Sequence, residues 1–323
     1  MRGPRKADVA MRTRAASLLA AVAAGWLAVA AAAARAQTEP VPSTPALLTG
    51  TLAKARDSGT VTIGYRESSI PFSFLSPRQE PIGYSIELCK AIVEAMSDAV
   101  HKTLATKWVA VTPATRIEAV ASGQVDLECG STTSNLERQK VVSFSPIVFV
   151  AGTKLLVKKG SAVKSFRDLT GQTVAVTGGT TNEKTMRDLS ARFKLNLNLL
   201  VSPDHAESFA LVKAGKAAAF ALDDVLLYGF IAQDKSANQG RSDYEVVGEF
   251  LSYDPYGVMF RKGDAQLATV VHDTFVALAQ DGEIERQYKR WFLRKLPSGT
   301  SIDLPMSPQL ESIIQTLGGK TTE

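Results

Sequence analysis

The fold class this sequence predicts is α/β, divided between two domains. Two observations carry the prediction. Runs of strand length alternate with helical periodicities along most of the chain, which implies parallel sheets with helices on their faces. Residues 37–323, what remains once a leader is set aside, are more than one core usually organises.

The elements follow in order. Thr60 to Tyr65 reads as a strand, and Ile86, Cys89, Ile92, Val93 and Met96 recur at helical spacing through residues 84–97. Residues 104–111 are strand-like, Arg116 to Ala121 a short helix, and Val125 to Cys129 a short apolar strand ending at Gly130. The rhythm then repeats. A strand over Lys154 to Val157 precedes the turn Lys158-Lys159-Gly160, and a strand over Thr173 to Val176 breaks into Thr177-Gly178-Gly179-Thr180-Thr181 before a helix ending near Phe193. Residues 196–201 form a strand and 206–214 a helix ending at Gly215. Ala217 to Leu222 reads as a buried strand, and Asp223-Asp224 opens a helix over 225–233. No internal repeat stands out. The tail beyond Pro297 is rich in Pro, Ser and Thr, and its apolar stretch from Leu310 to Leu317 is expected to dock on the body.

The net charge of +5 belongs entirely to the first 36 residues, which hold Arg2, Arg5, Lys6, Arg12, Arg14 and Arg35 against Asp8. The rest is electrically neutral, so the basic stripe of a nucleic-acid binder is absent from it. Arg12 and Arg14 precede an apolar stretch from Ala15 to Ala34, and Ala34-Arg35-Ala36 supplies small-x-small cleavage chemistry. That is the pattern of a secretory signal peptide, with Met1 or Met11 as its start. The competing reading is an uncleaved membrane anchor. Without a Cys after the apolar stretch a lipoprotein is not expected, and the product should be periplasmic. Cys89 and Cys129 have no metal-site or C-x-x-C spacing. An oxidising compartment permits a disulfide between them, and each also fits its apolar pattern as a buried thiol.

In open α/β sheets, ligands bind at the carboxyl ends of the strands. The residues at those ends are Arg66, Arg116, Ser131-Thr132-Thr133 with Arg138 soon after, Thr180-Thr181, His205 and Asp223. A guanidinium matches a carboxylate bidentately, and helix N-termini near Thr133 and Thr181 also favour an anion. A single Asp among these cations suits an ammonium group. The set describes an amino acid bearing a second carboxylate, and it calls for no metal or cofactor.

The segments Ile63-Gly64-Tyr65-Arg66-Glu67-Ser68-Ser69, Pro71-Phe72-Ser73, Glu128-Cys129-Gly130-Ser131-Thr132-Thr133, Glu137-Arg138-Gln139-Lys140, Gly179-Thr180-Thr181 and Ala219 to Asp224 resemble the periplasmic glutamate/aspartate-binding proteins of amino-acid ABC importers, solute-binding protein family 3. The resemblance runs from about residue 55 to about 295. It implies a periplasmic binding protein fold: two lobes, each a sheet flanked by helices, joined by crossovers near 150–153 and 248–252. The limits would be 1–36 signal peptide, 37–54 linker, 55–151 with 250–295 lobe 1, 152–249 lobe 2, and 296–323 tail. Carried over residue by residue, it implies that Arg138 holds the ligand α-carboxylate, assisted by Thr133 and the amide of Thr181. Asp223 would hold the α-ammonium, with an acceptor from the Ser131 region, and Arg66, Arg116 and His205 would meet the distal carboxylate. Pro113 is a departure, standing where close relatives carry a hydroxyl; Thr112 or Thr115 would have to compensate. L-Glutamate or L-aspartate and an inner-membrane permease are the implied partners of a monomeric, non-enzymatic protein.

Plainer readings stand beside these. A strand-end Arg is often a surface ion-pair partner, and His205, after Ser202-Pro203-Asp204, could simply cap a helix. If it contacts ligand, its ordinary pKa near 6.5 predicts affinity rising toward pH 6. His101 and His272 read as surface residues, and Trp291 and Phe292 as core-docking. Thr177 to Thr181 lacks the lysine and glycine spacing of a phosphate loop. Two other functions use the same fold class: a sensor or chemoreceptor ligand-binder, and a dehydratase-like enzyme with His205 or Glu67 as its acid or base.

Overall fold

The structure is a computed structural model describing residues 47–234 and 242–319. The leader, its start and cleavage, and the first part of the expected linker lie outside the described residues, as do residues 320–323 of the tail. The remainder of that linker is not all extended: a helix, α1 (Gly50–Ser58), begins within it and buries Leu52 and Ala55. Its mixed composition gives a weak helical period, so only the packing reveals it.

Two five-stranded sheets organise the chain, both within one unit, Leu48–Glu323. The first is built from β1 (Thr60–Tyr65), β5 (Ala105–Ala110), β6 (Leu127–Glu128), β7 (Val142–Phe144) and β15 (Met259–Arg261), in the order β5-β1-β6-β15-β7. A small sheet of β2 (Ser68–Ser69), β3 (Ser73–Leu75) and β4 (Pro81–Ile82) follows β1. The connecting helices are α2 (Tyr84–Ala99), α3 (Arg116–Ala121) and α4 (Leu136–Gln139). The second sheet takes β9 (Thr153–Lys158), β10 (Thr173–Thr177), β11 (Asn198–Ser202), β12 (Ala219–Asp223) and β13 (Tyr244–Val247), in the order β11-β10-β12-β9-β13. Its helices are α5 (Thr181–Phe193), α6 (His205–Lys213) and α7 (Asp224–Gln233).

The chain leaves the first sheet through β8 (Phe149–Ala151) and returns through β14 (Asp254–Tyr256), and these two strands pair with each other. The expectation of purely parallel sheets is corrected here. β9 runs antiparallel to β12, and β15 antiparallel to β6. The registers show why. Thr153, at the start of β9, faces Asp223 at the end of β12, and Met259, at the start of β15, faces Glu128 at the end of β6. A strand entering a lobe from the side on which the other strands end must run away from that side. Crossing twice therefore forces one reversed strand into each sheet.

The largest core cluster centres on Phe72, Tyr84, Phe149, Tyr288 and Phe292, whose rings meet edge-on or stacked at 4.3–6.4 Å. Each aromatic pair adds roughly 0.5–1.5 kcal/mol beyond burial. Trp291 and Phe292 are core residues. The tail docks as expected: α9 (Pro308–Leu317) buries Leu310 and Ile314 against α8 (Ala265–Gln280). The two readings of the cysteines resolve as well. Cys89 on α2 is bonded to Cys129 just after β6, tying that helix to the sheet. Among the described residues no helix is long and apolar enough to cross a membrane.

Candidate functional site

The strand ends of both sheets converge. Arg66 directly follows β1 and is fully buried, yet its Nε, Nη1 and Nη2 have no hydrogen-bond partner. Its nearest opposite charge is Asp204, at 3.9 Å. Arg116, the first residue of α3, is also buried, with Nε unpartnered. Buried guanidinium N–H groups normally find acceptors, and leaving one unmade costs on the order of 1–3 kcal/mol. Burial lowers the pKa of both arginines, Arg66 to about 9 with the nearby Arg116 contributing. Each remains a cation at neutral pH.

His205 opens α6 and is buried beside these two guanidiniums, its Nδ1 2.9 Å from Thr177 Oγ1. Burial first, then the charges of Arg66 and Arg116, hold its pKa well below 6.5. The imidazole is therefore neutral at neutral pH, against the titration near pH 6 that its ordinary pKa predicts. The folded state binds no proton at His205 while the unfolded chain takes one up below about 6.5, so stability falls as pH drops through that value. Between about pH 7.5 and about pH 5, wild type should lose up to roughly 2 kcal/mol more than His205→Gln. Parallel denaturant titrations of the two proteins measure this, and parallel pH dependences would contradict a neutral buried imidazole.

Arg138 is close enough to Arg116 for that charge, after burial, to lower its pKa to about 9, and it also reaches the second sheet's loops. Asn135 caps α4 by accepting from the Arg138 amide at 3.0 Å, which fixes the backbone. The guanidinium donates through Nη1 to Thr133 O at 2.9 Å and through Nη2 to Gly179 O at 3.4 Å. Thr133 lies 3.4 Å from the Thr181 hydroxyl at the start of α5, where backbone amides lack intrahelical acceptors. Asp223, at the end of β12, accepts from Asn182 Nδ2 at 2.8 Å and from the Tyr256 hydroxyl. Burial and the neighbouring Asp254 raise its pKa to about 7.

Arg66, Arg116 and His205 thus act on one another, and Arg116 also acts on Arg138 and Asp223, which lie with Thr133 and Thr181. Ser131 is buried with its hydroxyl unpartnered and no bond to Asp223. Thr112 and Thr115, the hydroxyls nearest Pro113, bond each other at 3.1 Å, and Thr115 is exposed. Glu67 is exposed. The sequence reading missed Glu128, Asn182, Asp204, Asp254 and Tyr256. Glu128 was open to the strand-end rule that found Arg66. Asp254 and Tyr256 lie on a returning strand that begins at the cleft, which that rule does not cover.

Contacts across the two sheets' loops are already made. Ser68 Oγ donates to Asp204 Oδ1 at 2.5 Å, in addition to the Arg138 bond to Gly179. Gly179 has φ +77°, and a Cβ there would lie 2.9 Å from Ala114 Cα. Only glycine permits that approach.

A two-lobed ligand-binding protein is the class that this fold and cleft define. Residues 61–294 match the bacterial extracellular solute-binding proteins, family 3, and the chain belongs to that family. It is 42% identical over 279 residues to an L-glutamate/L-aspartate-binding protein of Pseudomonas aeruginosa, covering 85% of this chain and 91% of that one. Against a glutamate/aspartate import solute-binding protein of Escherichia coli K12 the identity is 37% over 267 residues, with 82% and 87% covered. Among solved structures, an ancestral arginine-binding protein bound to glutamine matches with TM-score 0.65 at 28% identity, over 73% of this chain and 99% of that one. An ancestral amino acid-binding protein, a precursor of cyclohexadienyl dehydratase, matches with TM-score 0.64 at 29% identity, over 75% and 99%.

Proposed function

We propose that this protein captures L-glutamate or L-aspartate between its lobes and presents the closed form to an ABC-transporter permease. The observation that carries this reading is the pair of buried arginines, Arg66 with all three guanidinium nitrogens and Arg116 with Nε lacking an acceptor, beside a neutral imidazole. A distal carboxylate supplies the missing acceptors. Arg138 takes the α-carboxylate with Thr133 and Thr181, Asp223 takes the α-ammonium, and Ser131 lines the same cleft. The names of the relatives at 42% and 37% identity support the acidic ligand.

Residues 55–151 with 250–295 act as one lobe and 152–249 as the other, hinged at the paired strands β8 and β14. Because the proposed contacts come from both sides, ligand binds the closed form more tightly and shifts the population toward it. No turnover is assigned. Glu67 is exposed, and His205 lacks the near-neutral pKa that proton transfer favours. The leader directs the chain to the periplasm, where it works as a monomer.

Arg116→Ala tests the distal assignment. Glutamate and aspartate should bind 30-fold or more weaker, about 2 kcal/mol or more, while glutamine changes little. Calorimetric titration measures all three, and equal losses for glutamate and glutamine would defeat the assignment.

A further inference from the structure

We propose that Glu128 sets the charge the distal pocket accepts, so that it takes a singly charged acid group in preference to a doubly charged one. This rests on the reading of Arg66 and Arg116 as the holders of the distal acid. Glu128 ends β6 near the middle of the first sheet and is fully buried. Its Oε2 accepts from Thr132 Oγ1 at 2.8 Å, whereas Oε1 is buried without a partner. Gly130 makes room for it: a Cβ at that position would overlap Oε1 and lie 2.9 Å from Arg66 Cγ. The carboxylate and the arginine stem therefore converge on one gap.

The charge of Glu128 stabilises the cationic forms of Arg66, Arg116 and Arg138. It does so without taking up the donors of Arg66, all three of which stay unpartnered. That combination is unusual for a buried carboxylate, which ordinarily pairs directly with its cation. Here the charge is offset and the hydrogen-bonding capacity is kept. Among Arg66, Arg116 and Glu128, two guanidiniums less one carboxylate leave a single positive charge, and a distal carboxylate balances it; Arg138, which Glu128 also stabilises, is matched by the α-carboxylate. A second negative charge would face Glu128 with no cation remaining, in a medium where charges interact strongly. Asp204, with 26% of its side chain exposed, is better screened and adds to the same bias.

The probes are two L-2-amino acids of the same carbon skeleton, one ending in a sulfonate and the other in a phosphonate. Both groups are tetrahedral, and at mildly alkaline pH they differ by one charge. Wild type should favour the sulfonate. In Glu128→Gln the affinity ratio should shift toward the phosphonate by about tenfold or more. Glu128→Asp keeps the charge and should keep the wild-type preference. A ratio unchanged within about twofold in folded Glu128→Gln would overturn the proposal. Wild type alone supplies a second measurement that needs no variant to fold. Asp223, whose pKa is raised to about 7, titrates over the same range and acts on both probes alike. The phosphonate-to-sulfonate affinity ratio should therefore fall as the phosphonate's second proton leaves; a rise in that ratio would overturn the proposal. If wild type binds neither probe nor glutamate, the distal-pocket reading falls and this inference with it. Binding of glutamate and both probes with an unchanged ratio removes this inference alone.

Discussion

Arg138→Ala is expected to weaken binding of every amino acid, acidic or neutral, by a hundredfold to several thousandfold, about 3–5 kcal/mol. The side chain is only 9% exposed, and its bonds to Thr133 O and Gly179 O reach both sides of the cleft. Its removal takes away the proposed α-carboxylate anchor and a contact between the lobes together. Arg138→Lys keeps the charge but loses the planar fork, so it should recover only part of the loss. Calorimetric titration with glutamate, aspartate and glutamine provides the measurement, with circular dichroism to establish folding. A loss below tenfold in a folded variant would mean that the α-carboxylate is held elsewhere.

The second large effect concerns stability. The Cys89–Cys129 bridge spans 40 residues, so opening it restores conformational freedom to the unfolded chain worth about 4 kcal/mol. For a chain of this length the melting midpoint should drop by about 8 °C. The Cys89→Ala/Cys129→Ala variant and reduced wild type should melt together, below the oxidised protein. An unchanged midpoint in fully reduced protein would show that the packing of α2 on the sheet suffices without the bond.

The fold was legible where residue patterns are long. The strand Thr60–Tyr65 and the helix Arg116–Ala121 coincide with their predicted limits, because an unbroken apolar alternation or period defines each. Strands of two residues, such as Ser68–Ser69 and Pro81–Ile82, carry no period at all and exist through their pairing with β3. α8 does carry one, in Leu267, Val271, Phe275 and Ala279. The reversed strands β9 and β15 were not legible, since a strand's direction follows from where the chain re-enters a lobe and leaves no mark on its side chains.

At the site, strand-end position found the cations and Asp223. It could not tell that His205 would be held neutral, because that depends on burial beside Arg66 and Arg116. Nor could it tell that Thr112 and Thr115 would bond each other.

Thermal unfolding of the refolded, ligand-stripped protein with a panel of L-amino acids tests whether the cleft is built for an amino acid with a second carboxylate. A ligand at about 100 times its dissociation constant adds roughly 2.7 kcal/mol, a midpoint shift on the order of 5 °C. Glutamate and aspartate should produce that shift, and glutamine and arginine should not. A shift with neutral or basic amino acids alone would contradict the account.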